Sequence, residues 1–151
     1  MKFKRIDIGR QGNFILALLL IHFVFFGYLC NIYKKEIGGS IIFLHEVMFN
    51  PASFFAPIIL FIIIFILVFR EPFYEYGLRN AIWTIPIIIL ESWIWYWFIY
   101  GFTFDLIIYY FTRIQGYLTI LSLVVVVLSA SFVGAIAKVK YEEYTRLELE
   151  S

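Results

Sequence analysis

The chain has 151 residues, of which 63% are hydrophobic, 22% aromatic and only 15% charged, against roughly 25% charged in an average soluble domain. So little polar surface cannot cover a water-facing globule, and hydrocarbon is the expected solvent for most of the polypeptide. The net charge of +1 carries no sign of a nucleic-acid partner, and none is expected; the placement of the charges is the informative part.

The N-terminal stretch "MKFKRIDIGRQGNFILALLLIHFVFFGYLC" starts basic and turns apolar, as a secretory signal does. A cleavage site needs small residues one and three positions before the cut, yet Leu29 stands directly before Cys30. The same leucine argues against a lipid-modified cysteine. An apolar run of about 20 residues is long enough to cross a bilayer, so a retained first span is expected over about 13–33. Cys30 is the only cysteine, which excludes an internal disulfide.

A second span is expected over about 54–69, around "IILFIIIFILVF", with Pro51 and Pro57 near its start, where a missing N–H costs least. It is uniformly bulky and branched, and lipid contact is the expected fate of its surface. The third and fourth spans are expected at about 80–101 and 116–137. Charged or turn-forming stretches separate them: "KKEIGGS", "REPFYEYGLR" and "TRIQG". The spans must be helices, because a lipid-facing backbone has to satisfy its own hydrogen bonds and four segments cannot close a barrel. The expected fold is therefore all-α: an integral membrane bundle of four transmembrane helices, residues 1–151 forming one membrane domain.

Orientation follows from lysine and arginine in the short connections. Lys2, Lys4, Arg5, Arg10, Arg70, Arg79, Lys138, Lys140 and Arg146 fall on one side in a four-span chain, against Lys34, Lys35 and Arg113 on the other. Both termini should face the cytoplasm, in the cell membrane. The outer loops, "IIFLHEVMFNPASFF" and "FTFDLIIYYFTRI", are apolar but broken by charges or Asn-Pro. They should lie in the interface or fold back over the bundle. The tail, 138–151, should continue the fourth helix into the cytoplasm, supported by Lys138, Glu142 and Arg146 at four-residue spacing.

Few residues could carry chemistry. Glu91 lies about eleven residues into the third span, roughly 16 Å deep and near the midplane of a ~30 Å core. His22 reaches a similar depth in the first span, which runs in the same direction. A carboxyl group there costs several kcal/mol unless it faces inward and finds a partner, so His22 and Glu91, facing into the bundle, form the candidate intramembrane polar pair. The pair reads either as a structural hydrogen bond or as a proton-titrating or cation-binding site; Thr84 and Ser92 are alternative partners for the acid. Trp93, Trp95 and Trp97 form a candidate aromatic cluster. They read either as membrane anchors or as a box that could hold an organic cation. Ala130 and Gly134, like Ser131 and Ala135, give the fourth span a small-residue face for close helix packing.

His45–Glu46 lacks the second histidine of a zinc helix, since position 49 is Phe49. No catalytic set, metal site or cofactor site is expected. The sequence therefore points to a non-enzymatic membrane protein acting in the lipid bilayer through a membrane or cytoplasmic protein partner: an accessory subunit, an immunity protein, or a membrane-bound regulator of a cytoplasmic factor. A proton-coupled transporter or channel using the Glu/His pair is the alternative, and a homo-oligomer is compatible with both.

Overall fold

A computed structural model describes residues 8–28 and 40–150, apart from the side chains of 8–10 and 150. Lys2, Lys4, Arg5, Cys30, Lys34 and Lys35, and the expected end of the first span at 29–33, lie outside the described residues. Helices α1 (Ile8–Leu20), α2 (Phe43–Phe49), α3 (Phe55–Arg70), α4 (Tyr74–Tyr100), α5 (Asp105–Thr112) and α6 (Ile114–Glu150) make up the fold, with no strand among the described residues. A π-helical turn, Ile21–Phe26, continues α1, and a 3₁₀ turn, Pro51–Ser53, leads into α3.

Three helices are long and apolar enough to cross a membrane: Pro51–Arg70, Tyr74–Tyr100 and Ile114–Leu149. The apolar helix Gln11–Phe26 is shorter, about 24 Å at 1.5 Å per residue. It nonetheless packs beside α3 and α4 as a fourth rod. The helices outrun the expected spans where their flanks stay helical. α4 begins at Tyr74 rather than near 80, and α6 runs unbroken through the tail.

The second span, expected to contact lipid, is also partly buried in the bundle. In α3, 39% of the apolar window is buried, against 22% in α4 and 28% in α6, and α3 touches α1, α4 and α6. Ala56, Leu60, Ile63, Ile64, Leu67 and Val68 are buried along it. The reason is shape rather than hydropathy. Lipid is as apolar as leucine, so small residues on neighbours decide which helix surfaces meet. Bulky α3 fits against the small faces of α4 and α6: a Cβ on Gly77 would lie 3.0 Å from Val68 Cα, and one on Gly134 would lie 3.1 Å from the Phe65 carbonyl. Ala81 and Ala130 are fully buried in the same bundle. Ala130 and Gly134 thus face inward, within the molecule.

A polar clasp ties the helix ends together. Asn13 Nδ2 of α1 donates to the Arg70 carbonyl at 3.3 Å. Lys138 Nζ of α6 donates to the carbonyls of Phe69, at 3.3 Å, and Glu71. Asn80 Nδ2 of α4 donates to Glu71 Oε1 at 3.3 Å. Cationic donors suit a helix C-terminus, where orphan carbonyls and the helix dipole both attract them. The start of α1, the end of α3, the start of α4 and the C-terminal half of α6 therefore share one end of the bundle. Lys138→Met is expected to lower stability by about 1–3 kcal/mol, because the carbonyls lose a charged donor; thermal unfolding in mild detergent would check this.

At the other end the loops fold back over the bundle. Phe43, Leu44 and Val47 of α2, and Leu106 and Tyr110 of α5, are buried. Gly101 ends α4 with φ 92°, a left-handed conformation that glycine adopts without penalty. Its N–H donates to the Trp97 carbonyl at 3.0 Å. Trp97 Nε1 donates to the Thr103 carbonyl at 2.9 Å, and Thr103 Oγ1 accepts the Asp105 N–H at 3.2 Å, closing the turn into α5.

Candidate functional site at the α1–α4 seam

The π-helical turn sets this site. Residues Ile21–Phe26 read "IHFVFF", and Ile21, Phe25 and Phe26 of this turn are all in the core. Such turns occur inside helices mainly as single insertions and are frequent at functional sites. Here the turn holds His22 at the edge of the buried face, directed at α4.

His22 Nδ1 lies 2.8 Å from Glu91 Oε2. The structure thus brings the two candidate polar residues together across 69 residues of sequence. Glu91 follows Ala81 by ten residues and precedes Tyr100 by nine, about 14 Å from either, which sets the contact near the centre of the apolar part of α4. The imidazole also meets Phe23 edge-on, with centroids 4.9 Å apart, and lies 5.3 Å from the Trp95 ring.

The pair is not sealed inside the bundle. The side chains are 41% exposed for His22 and 18% for Glu91, so both sit in a seam that opens onto the outer face of the helices. The face around them is bulky and bare: Phe23 is 69% exposed and Phe98, seven residues beyond Glu91 on the same helical stripe, 83%.

Thr84 and Ser92, the other possible partners for the acid, are engaged elsewhere. Thr84 donates to the Ala81 carbonyl. Ser92 donates to the Ile89 carbonyl at 2.7 Å and shares a 3.0 Å bond with the Tyr110 hydroxyl. Burial pushes the Tyr110 phenol up, against the smaller opposing effect of that bond, so Tyr110 joins α5 to α4 as a neutral group.

The three tryptophans serve different neighbours. Trp95 stacks on Phe26, with centroids 6.4 Å apart and planes 12° apart, and borders His22. Trp93 packs edge-on against Tyr110 and Phe111 of α5. Trp97 holds the turn after α4. The indole N–H groups of Trp93 and Trp95 are buried without a hydrogen-bond partner. A buried donor left unpaired costs roughly 1–3 kcal/mol, so Trp95 adds a second unmet polar demand beside His22.

Two polar sites escaped sequence reasoning. One is the clasp around Glu71, a residue only 1% exposed; its place between Arg70 and Pro72 reads as an ordinary loop. The other is a cleft at the opposite end of the bundle, lined by Ser40, His45, Glu46, Tyr109, Arg113 and Gln115 among others. Only a folded chain brings these residues from three separate segments together. Among the described residues no group of three His, Cys, Asp or Glu side chains could hold a metal ion.

Comparison of the chain with protein-family models, curated proteins and solved structures finds no match.

Proposed function

We propose that the chain is a small, non-enzymatic integral protein of the cell membrane that acts through a protein partner docked on the α1–α4 seam. The His22–Glu91 pair, partly exposed at the histidine, carries this reading. Ionisable groups at mid-depth normally face the bundle interior or a water-filled cavity, yet this pair opens onto bare aromatic and aliphatic surface. A helix laid over the seam would remove the imidazole from hydrocarbon.

Four spans with both termini in the cytoplasm are the topology that fits this proposal. The ends of α3, α4 and α6 joined by the clasp carry Arg70, Arg79, Lys138, Lys140 and Arg146 of the positive side. Beyond the clasp α6 continues as an exposed helix, with Leu147 60% and Leu149 84% exposed. That extension supports contact with a cytoplasmic factor, as an accessory subunit, an immunity protein or a membrane-bound regulator would make.

Photoreactive residues placed at Phe23, Phe98, Leu121 and Val125 in native membranes test the seam. All four positions are more than half exposed. The expected result is one discrete protein adduct from Phe23 and Phe98, and lipid adducts from Leu121 and Val125 on α6. Lipid adducts alone at all four positions would refute the docking surface.

Direct contact of an imidazole with a carboxylate also favours a second reading, a small proton-coupled transporter or channel. It requires that purified protein in liposomes moves protons or cations, and that Glu91→Gln abolishes the flux. Inert liposomes would remove it.

A further inference from the structure

We propose that the cleft between α2 and the α5–α6 corner binds a phosphoethanolamine group, taken from a membrane lipid. The proposal relies on the membrane placement above and is separate from the partner seam. Glu46 stands on the α2 wall, and Tyr109, Arg113 and Gln115 on the other wall, with Ser40 and His45 completing the lining. The space is about 210 Å³, room enough for a lipid headgroup.

The charges in this cleft are complementary but unjoined. Arg113 is stacked on the Tyr109 ring, its guanidinium carbon 4.0 Å from the centroid. Among the described residues Glu46 Oε1 pairs with His45 Nδ1, at 3.7 Å, and that nitrogen is buried without a hydrogen bond. Among the described residues no ion pair joins Arg113 to Glu46. A cation and an acid held apart across one small cleft match a ligand carrying an anion and an ammonium group. The phosphate would meet the Arg113 guanidinium, with its forked donors, and the Gln115 amide. The ammonium would donate to Glu46. A quaternary choline has no N–H to donate, so the primary amine is the better fit.

Depth assigns the source. Gln115 and Lys138 are 23 residues apart on the unbroken helix α6, about 35 Å along its axis. With the Lys138 clasp at one interface, the cleft falls at the headgroup level of the other leaflet of a ~30 Å core. Beside Arg113, Phe111 and Ile114 are 55% and 70% exposed and offer apolar surface along which acyl chains can lie.

Native mass spectrometry of the detergent-purified full chain, mixed with equal amounts of phosphatidylethanolamine, phosphatidylcholine and phosphatidylglycerol, tests this. Wild type should retain one phosphatidylethanolamine at least about tenfold over either other lipid. Glu46→Gln should cut that preference by about tenfold, as expected for loss of a charged hydrogen bond, whereas Arg113→Gln, at the phosphate all three lipids share, should cut total lipid retention by about tenfold. Arg113→Lys should keep most of it, and circular dichroism of each variant should match wild type. Equal retention of the three lipids, or a preference untouched by Glu46→Gln, overturns the proposal. Free phosphoethanolamine that binds as tightly as the lipid overturns the lipid source; a free headgroup that fails to compete supports it. The crosslinks from Phe23 and Phe98 should be unchanged in these variants, which separates this outcome from that of the seam.

Discussion

Gly116→Ala is expected to be the most disruptive methyl added at any described glycine. A Cβ at this position would lie 2.1 Å from the Tyr110 carbonyl oxygen and 2.7 Å from its carbon. Both are backbone atoms of α5, and the corner is short: only Thr112 and Arg113 separate Phe111 from α6. Nothing there is the free end of a side chain, so α5 or the start of α6 must shift. Overpacking of this kind costs about 1–3 kcal/mol or more, against a gain of up to ~1 kcal/mol from replacing a helical glycine. The net expectation is a loss of roughly 2 kcal/mol, with α5 displaced and the Ser92–Tyr110 bond broken. Gly12→Ala is the internal control. Gly12 lies in α1 with nothing within 4 Å of a Cβ, so the same change should leave stability unaltered or raise it slightly. Thermal unfolding of both variants in one detergent checks the contrast.

Glu91→Ala should cost about 1–3 kcal/mol, the penalty for stranding a polar partner, because the change leaves the His22 imidazole in hydrocarbon without its acceptor. Glu91→Gln retains an amide oxygen for the histidine N–H, and its cost should stay below about 1 kcal/mol. The double variant His22→Phe, Glu91→Leu removes both demands at once. It should recover most of the loss, giving a coupling energy on the order of 1 kcal/mol or more in a double-mutant cycle. A cycle that closes to zero would mean that the 2.8 Å contact contributes nothing. The functional split is separate from the stability split. If partner docking is right, the double variant folds but loses the crosslinks from Phe23 and Phe98; if transport is right, Glu91→Gln alone abolishes flux.

Some of this architecture was readable from residues alone. Long apolar runs bounded by charges marked α3, α4 and α6, because the bilayer imposes a length and the backbone a helix. His22 and Glu91 could be set at one depth by counting residues from the ends of two parallel spans, without any knowledge of packing. Other features were hidden for physical reasons. The burial of α3 could not be seen in its own residues, since Leu60, Ile64 and Val68 are as content in lipid as in protein; the signal lay in Gly77 and Gly134 on other helices. The π-helical turn leaves no mark in composition; it is seen only in the folded backbone. Reading depth alone also missed direction. The pair was expected to face the interior, whereas His22 is 41% exposed at the seam. The Glu46–Arg113 cleft depends on how α2 and α5 fold back, which no local pattern specifies.

The account depends most on the surroundings of the His22–Glu91 seam being hydrocarbon. Val24 and Ile94 flank the pair on α1 and α4, each 44% exposed, and a nitroxide at either position reports its environment in reconstituted bilayers. Relaxation dominated by dissolved oxygen, with little effect from a water-soluble nickel chelate, is the expected result at both sites. Strong nickel relaxation at both would place water around the pair and contradict the membrane setting on which the rest is built.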